Sequence, residues 1–330
     1  MKQLTQPIQI KNVDINNRIV MPPMATGKAD QGQVSQPILD YYNEKSKGGH
    51  IGLIITEHLY ISKEGMAHNG QMSIERDSDL AGLSRLAEII HRNGSKVIAQ
   101  INHAGRAANS QLTGKQALCV SSISSSDTSG EASLPPKEMD QADIDRIVVC
   151  FASAAKRAKD AGFDGVEIHS AHGYFLSQFY SPLTNRRIDG YGGTLEGRIR
   201  IHLEIIRAVR EAVGEDYLIA LRLGACDYTE GGITLEDSVA AARAFEKAGV
   251  DVLDISGGVC GFSRPGHQEP GYFAELTEAI KNVVSIPVIL TGGITTGVDA
   301  DRLLAEQKAD LIGVGRAILN DSDWARKAVE

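Results

Sequence analysis

The segment Arg18-Ile19-Val20-Met21-Pro22-Pro23-Met24-Ala25-Thr26-Gly27 separates two ways of building an α/β protein. Its first four residues form a short apolar run of strand length, and a helix-type pattern follows over residues 37–46. A doubly wound open sheet would carry a glycine fingerprint in this first strand-to-helix turn, where the backbone must approach a dinucleotide pyrophosphate. Two prolines and one late glycine are not that fingerprint. Further apolar runs lie at residues 52–56, 96–101, 165–169, 219–223, 252–256, 287–291 and 311–314. Amphipathic stretches alternate with them at residues 78–92, 143–161, 195–213, 235–248, 271–283 and 298–306, and a last one begins at Asp321. Strands that alternate with helices pair in parallel through right-handed crossovers. Eight such units bury both faces of every strand most simply as a closed (β/α)8 TIM barrel, with the open doubly wound sheet as the alternative.

Outside the repeat, apolar residues at 8–10 and 13–15 flank Lys11-Asn12, which predicts a short N-terminal hairpin plugging one end of the barrel. Residues 1–330 are expected to form a single domain, a length that such barrels occupy. The longest connection, residues 104–140, is rich in Ser, Gly and Pro and reads as a lid or binding segment, or as a plain surface insertion.

Composition removes several classes of function. A formal net charge of −8 with no basic run leaves no cationic surface for nucleic acid or an anionic membrane. No apolar stretch approaches the roughly 20 residues that span a bilayer, and the opening MKQLTQPIQI lacks the apolar core of a signal peptide. A soluble, cytoplasmic protein is expected. Cys119, Cys150, Cys226 and Cys260 form no close pair of the zinc or redox kind and read as free thiols.

In a barrel of this type the chemistry sits where strands end, at the C-terminal face. Thr291-Gly292-Gly293 and Gly313-Val314-Gly315-Arg316 end the last two runs, so their amides and the Arg316 guanidinium can converge on a phosphate. Turn geometry alone would also explain these glycines. Arg222 interrupts the apolar run Ala220-Leu221-Arg222-Leu223; a buried arginine keeps its charge and needs an anion or a ligand rich in acceptors. One partner is a strand carboxylate such as Glu167, the other a flavin pyrimidine edge, which Gln100 also suits. His169-Ser170-Ala171-His172-Gly173-Tyr174 follows the fourth run. Two histidines without a third ligand make a poor zinc site, so no metal is expected. A second use for them is to donate hydrogen bonds to a substrate oxygen while Tyr174 supplies a proton.

These residues, with Asn17 to Met24, Gln100-Ile101-Asn102-His103-Ala104-Gly105-Arg106, the run from Ala161 to His169, Ser181-Pro182-Leu183-Thr184-Asn185-Arg186-Arg187 and Tyr191-Gly192-Gly193, resemble the old yellow enzyme family of NADH:flavin oxidoreductases, and within it the barrel of the 2,4-dienoyl-CoA reductase branch. The resemblance implies bound FMN, with NADH or NADPH as reductant and an activated alkene as acceptor. Pro23, Met24 and Ala25 would lie along the flavin, Gln100 would hold its pyrimidine edge, Arg222 would face N1, and Gly292, Gly293, Gly315 and Arg316 would take the phosphate. His169 and His172 match the pair that binds the acceptor's activating oxygen, and Tyr174 matches the proton donor. Hydride would pass from flavin N5 to an alkene conjugated with a carbonyl or nitro group, as in an ene-reductase.

Several positions depart from the family pattern. Ala25 stands where many members place Thr or Cys near N5. His58 replaces a small residue beside the flavin, so it narrows the pocket or contacts substrate. Gly190 and Gly197 replace polar residues around the Tyr-Gly-Gly turn, which should loosen it. The branch's four-cysteine iron–sulfur motif is absent from these 330 residues, so direct reduction by soluble nicotinamide is expected. Other functions compatible with the sequence are a non-catalytic flavin-binding protein and an amine or other dehydrogenase on the same barrel; a Schiff-base aldolase would need a lysine at a strand's C-terminal end. Arg264 and His267 are further candidates for substrate contact, and the resemblance allows a homo-oligomer.

Overall fold

The computed structural model describes residues 2–122 and 135–330. Eight parallel strands close on themselves: β1 Ile19–Met21, β2 Leu53–Ile55, β3 Lys96–Asn102, β4 Gly165–Ser170, β5 Leu218–Gly224, β6 Val252–Ser256, β7 Val288–Thr291 and β8 Leu311–Gly313. Each pairs with its sequence neighbours, and β8 pairs back onto β1 through Ile312↔Ile19 and Gly313↔Val20. Helices Gln36–Ser46, Leu80–Arg92, Gln141–Asp160, Leu195–Val213, Leu235–Ala248, Ala274–Lys281 and Gly297–Ala305 run outside. This is the (β/α)8 barrel.

The alternation of side chains along each strand assigns them to two compartments. In β5, Ile219, Leu221 and Leu223 pack outward against the helices, whereas Leu218 and Ala220 point inward. The inward set, Val20, Leu53, Ile55, Ile98, Leu218, Ala220, Val252, Ile289 and Leu311, forms its own apolar cluster with Ile10, Val13 and Ile15. Those last three belong to the antiparallel hairpin Ile8–Ile10 and Val13–Ile15, so the hairpin stoppers the N-terminal end.

Some boundaries move. The stretch expected to be helical from residue 271 starts only at Ala274, because Gly271 sits at φ +79° with its amide on the Gly292 carbonyl at 2.7 Å. Gly197 does not loosen the Tyr-Gly-Gly turn. A Cβ there would lie 2.2 Å from the Gly192 carbonyl oxygen, so glycine lets helix Leu195–Val213 press onto that turn, capped by the Thr194 hydroxyl. Within residues 104–140 the described part holds helix Ser110–Thr113 and a paired Leu118–Cys119 and Lys137–Glu138; residues 123–134 of the expected lid lie outside the described residues. No helix among the described residues is long and apolar enough to cross a membrane.

Candidate active site

One step above the apolar plug, the inward positions turn polar. Ile98 is followed by Gln100, Gly165 by Glu167 and His169, Ala220 by Arg222, Val252 by Asp254 and Ser256, and Ile289 by Thr291. Glu167 and Asp254 are fully buried and Arg222 nearly so. The Arg222 Nε lies 3.2 Å from Asp254 Oδ2, close enough for an ion pair but out of line for a hydrogen bond. Asp254, not Glu167, is therefore the nearest counter-ion of Arg222. Gln100 donates from Nε2 to Glu167 Oε2 at 2.6 Å. Burial, then the Asp254 charge, pushes the Glu167 carboxyl up to about 8; one guanidinium between two carboxyls leaves room for one proton.

Above this layer a cleft of about 370 Å³ opens at the C-terminal ends of the strands. Pro23, Met24, Ala25, His58, Gln100, His169, His172, Tyr174, Arg222, Gly292, Gly293, Gly315 and Arg316 all line it. Each arrives for a local reason. Met24 and Ala25 follow the proline turn after β1. Gly292 (φ +145°) and Gly293 (φ +66°) turn the chain after β7, and an added Cβ at either would strike the Tyr272 ring within 3 Å. Gly315 caps the short helix Arg316–Asn320. His172 is held at φ +60°, unusual for a residue with a side chain, and places its Nε2 2.8 Å from Ser256 Oγ.

His169 is the hub of the ring cluster. Its centroid lies 5.2 Å from His172, 5.3 Å from Tyr174 and 6.1 Å from His58. Burial, reinforced by neighbouring charge, pulls His169 and His172 well below the usual imidazole range, and burial holds the Tyr174 phenol above its ordinary value. At neutral pH this cluster presents neutral imidazole and a protonated phenol, which are hydrogen-bond donors without net charge. His169 Nδ1 and Arg222 Nε are buried without a hydrogen-bond partner.

Other expected contacts fall elsewhere. Arg264 bonds the Tyr272 carbonyl and Glu275, and His267 pairs with Glu269; neither lines the cleft, whereas Phe262 of the same loop does. His103 is buried against Phe175, its Nδ1 accepting from the Gly105 amide. No lysine is among the cleft-lining residues, which removes the Schiff-base alternative. Phe262, Tyr272 and Leu319 also line the cleft and carry no signal in the sequence, since the first two lie in a loop and the third in a helix of five residues, too short to show a period.

The cleft matches the chemistry of one bound group. Pro23, Met24 and Ala25 offer an apolar wall for a flat ring, the unpartnered Arg222 Nε and Gln100 offer polar contacts for its edge, and the glycine turns with Arg316 leave backbone open to a phosphate. Residues 3–330 match the sequence profile of the NADH:flavin oxidoreductase / NADH oxidase family. The chain belongs to that family. The family binds FMN and draws on NADH or NADPH. A NADH oxidase of Thermoanaerobacter brockii is 44% identical over 329 residues, 98% of this chain and 50% of that protein. An NADPH dehydrogenase of Halalkalibacterium halodurans is 37% identical over 97% of this chain and 91% of its own length. The chain thus spans about half the length of the first relative. Among solved structures, 2-naphthoyl-CoA reductase in complex with 2-naphthoyl-CoA superposes with a TM-score of 0.92 at 28% identity, covering 99% of this chain and 52% of that one. An old yellow enzyme homologue from Zymomonas mobilis gives 0.84 at 26% identity, covering 98% and 91%.

Proposed function

We propose that this protein is an ene-reductase of the family, passing hydride from NADH or NADPH to an alkene activated by a carbonyl or nitro group. The observation that carries the proposal is the cluster at the cleft in which the His172 and Tyr174 rings lie 5.2 Å and 5.3 Å from the ring of His169. FMN, held by Gln100, Arg222, Gly292, Gly293, Gly315 and Arg316, supplies the hydride chemistry.

The protein's own groups do the rest. His169 and His172, each neutral, donate N–H to the activating oxygen and draw charge toward it as it develops. A neutral imidazole pair stabilises that charge without binding the ground state as an ion pair. To do so, His172 gives up or shares its contact with Ser256. Tyr174, whose phenol stays protonated, delivers a proton to the alkene carbon next to the activating group. Phe262 and Leu319 at the rim of the cleft limit access of water.

The test is an anaerobic titration of FMN-loaded protein. Visible absorbance should bleach with NADH or NADPH and return on addition of cyclohexenone. Loaded protein that nicotinamide cannot reduce, or reduced protein that the enone cannot reoxidise, refutes the proposal. Because the histidines are already neutral, reoxidation should show no inflection near pH 6.5, the ordinary imidazole value.

A further inference from the structure

His58 stands one turn beyond β2 and is 7% exposed, its ring lining the cleft. Its hydrogen bonds fix which nitrogen carries the proton. The Gln71 amide cannot be reversed: its Oε1 accepts from the Ala67 backbone N–H at 2.8 Å, and its Nε2 donates to the His58 carbonyl at 3.1 Å. The same Nε2 lies 3.2 Å from His58 Nδ1; the Asn102 amide, 3.0 Å from that nitrogen and with its Oδ1 unpartnered, takes its orientation from this contact and does not set it. A nitrogen facing an amide N–H must be the acceptor, so the proton of a neutral His58 resides on Nε2. Nε2 has no hydrogen-bond partner among the described residues. Burial, then His68 and Arg222, pull the His58 imidazole down to about 3, so it stays a neutral donor.

His58 faces His68 at 5.4 Å, Tyr174 at 5.3 Å and His169 at 6.1 Å between ring centroids. A donor on each of two rings 6.1 Å apart can reach two different oxygens of one small group, each at about 2.9 Å. We infer that His58 is a specificity-determining residue whose Nε2–H favours alkenes with two acceptor oxygens on the activating end, such as a nitro group, over alkenes with one. This rests on the ene-reductase proposal above. One oxygen binds His169 and His172, and the second takes the His58 proton donor. An enone leaves that donor unmatched, which a buried site penalises.

The experiment uses FMN-loaded wild-type, His58→Leu and His58→Gln proteins, reduced with NADH and mixed with 1-nitrocyclohexene or cyclohexenone. The ratio of second-order reoxidation rates, nitroalkene over enone, should fall roughly three- to tenfold in His58→Leu, through weaker acceptor binding. His58→Gln, which keeps an N–H donor, should recover most of it. FMN affinity is measured on the same proteins. A ratio that stays at the wild-type value in His58→Leu, or a loss of FMN affinity in its place, overturns the assignment and leaves the ene-reductase proposal standing. Wild-type protein that neither acceptor reoxidises overturns the ene-reductase proposal, and this one with it. As a check free of turnover and of variant folding, ¹⁵N spectra of histidine-labelled wild type should show His58 protonated at Nε2 only; protonation at Nδ1 overturns the inference.

Discussion

The lower and upper halves of the barrel interior are made by the same strands and differ by one step of the strand repeat. Ile98, Ala220, Val252 and Ile289 sit in the apolar half under the hairpin. Two residues further on, Gln100, Arg222, Asp254 and Thr291 occupy the polar half under the cleft. That step is about 7 Å along a strand. The lower half gains stability by excluding water. The upper half carries one guanidinium and two carboxyls with imperfect mutual bonds, an arrangement that stabilises little by itself and leaves contacts for a bound group. Scaffold and site are thus stacked along the barrel axis.

The comparison is broken most sharply at Arg222. Arg222→Leu extends the apolar half upward by one position but strands Asp254 and Glu167 without a cation. Removing one partner of a buried ion pair costs about 3–5 kcal/mol, and the variant should also fail to retain FMN. Urea unfolding and the flavin content of the purified protein test both; unchanged stability would show that the charge layer is not coupled as described. Tyr174→Phe acts in the upper half alone. It should slow reoxidation by an enone by about 10²–10³-fold while reduction by nicotinamide keeps its rate, as read by stopped-flow absorbance. Equal slowing of both half-reactions would move Tyr174 out of the proton-donor role. The counterpart in the lower half is Ile15→Ala, which removes a fully buried side chain of the hairpin. It should destabilise the protein by about 2–3 kcal/mol and leave the two half-reactions at wild-type rates, because the plug and the cleft share no residue.

How far each half was legible in the sequence follows from the same geometry. Local periodicity reported the strands and long helices well: Val252–Ser256, Leu195–Val213 and Leu235–Ala248 begin and end where pattern and caps place them. Thr194 and Thr234 cap the last two, and Gly214 and Gly249 stop them. The interruption of an apolar strand by Arg222, and the His169 to Tyr174 run at a strand end, were visible for the same reason. What local pattern does not carry is pairing at a distance. Strand Leu59–Tyr60 exists because it lies beside Ile101 and Asn102. The counter-ion of Arg222 is Asp254 from the neighbouring strand rather than Glu167, a choice set by barrel geometry. Gln71, which fixes the His58 tautomer, comes from a loop with no periodicity at all. Arg264 and His267 looked like substrate contacts because they are polar and lie in the right loop, but nearby carboxylates Glu275 and Glu269 claim them.

The finest probe of the contrast is Glu167→Gln, which keeps shape and polarity but removes one ionisable carboxyl from the upper half. In the folded protein burial and Asp254 raise the Glu167 carboxyl from its ordinary value near 4.5 to about 8. Between those two values the unfolded chain has released this proton and the folded chain still holds it. The folded state then binds more protons than the unfolded one, so stability falls as pH rises through this window and levels off above it. Below the lower value both states are protonated and the group contributes no slope. Glu167→Gln abolishes the titration, so the variant's melting temperature should decline less between pH 5 and pH 8 than that of the wild type. The two proteins should converge toward pH 5. Parallel melting curves across that range would mean that Glu167 ionises normally in the fold, and that the polar layer holds two full negative charges against Arg222 alone.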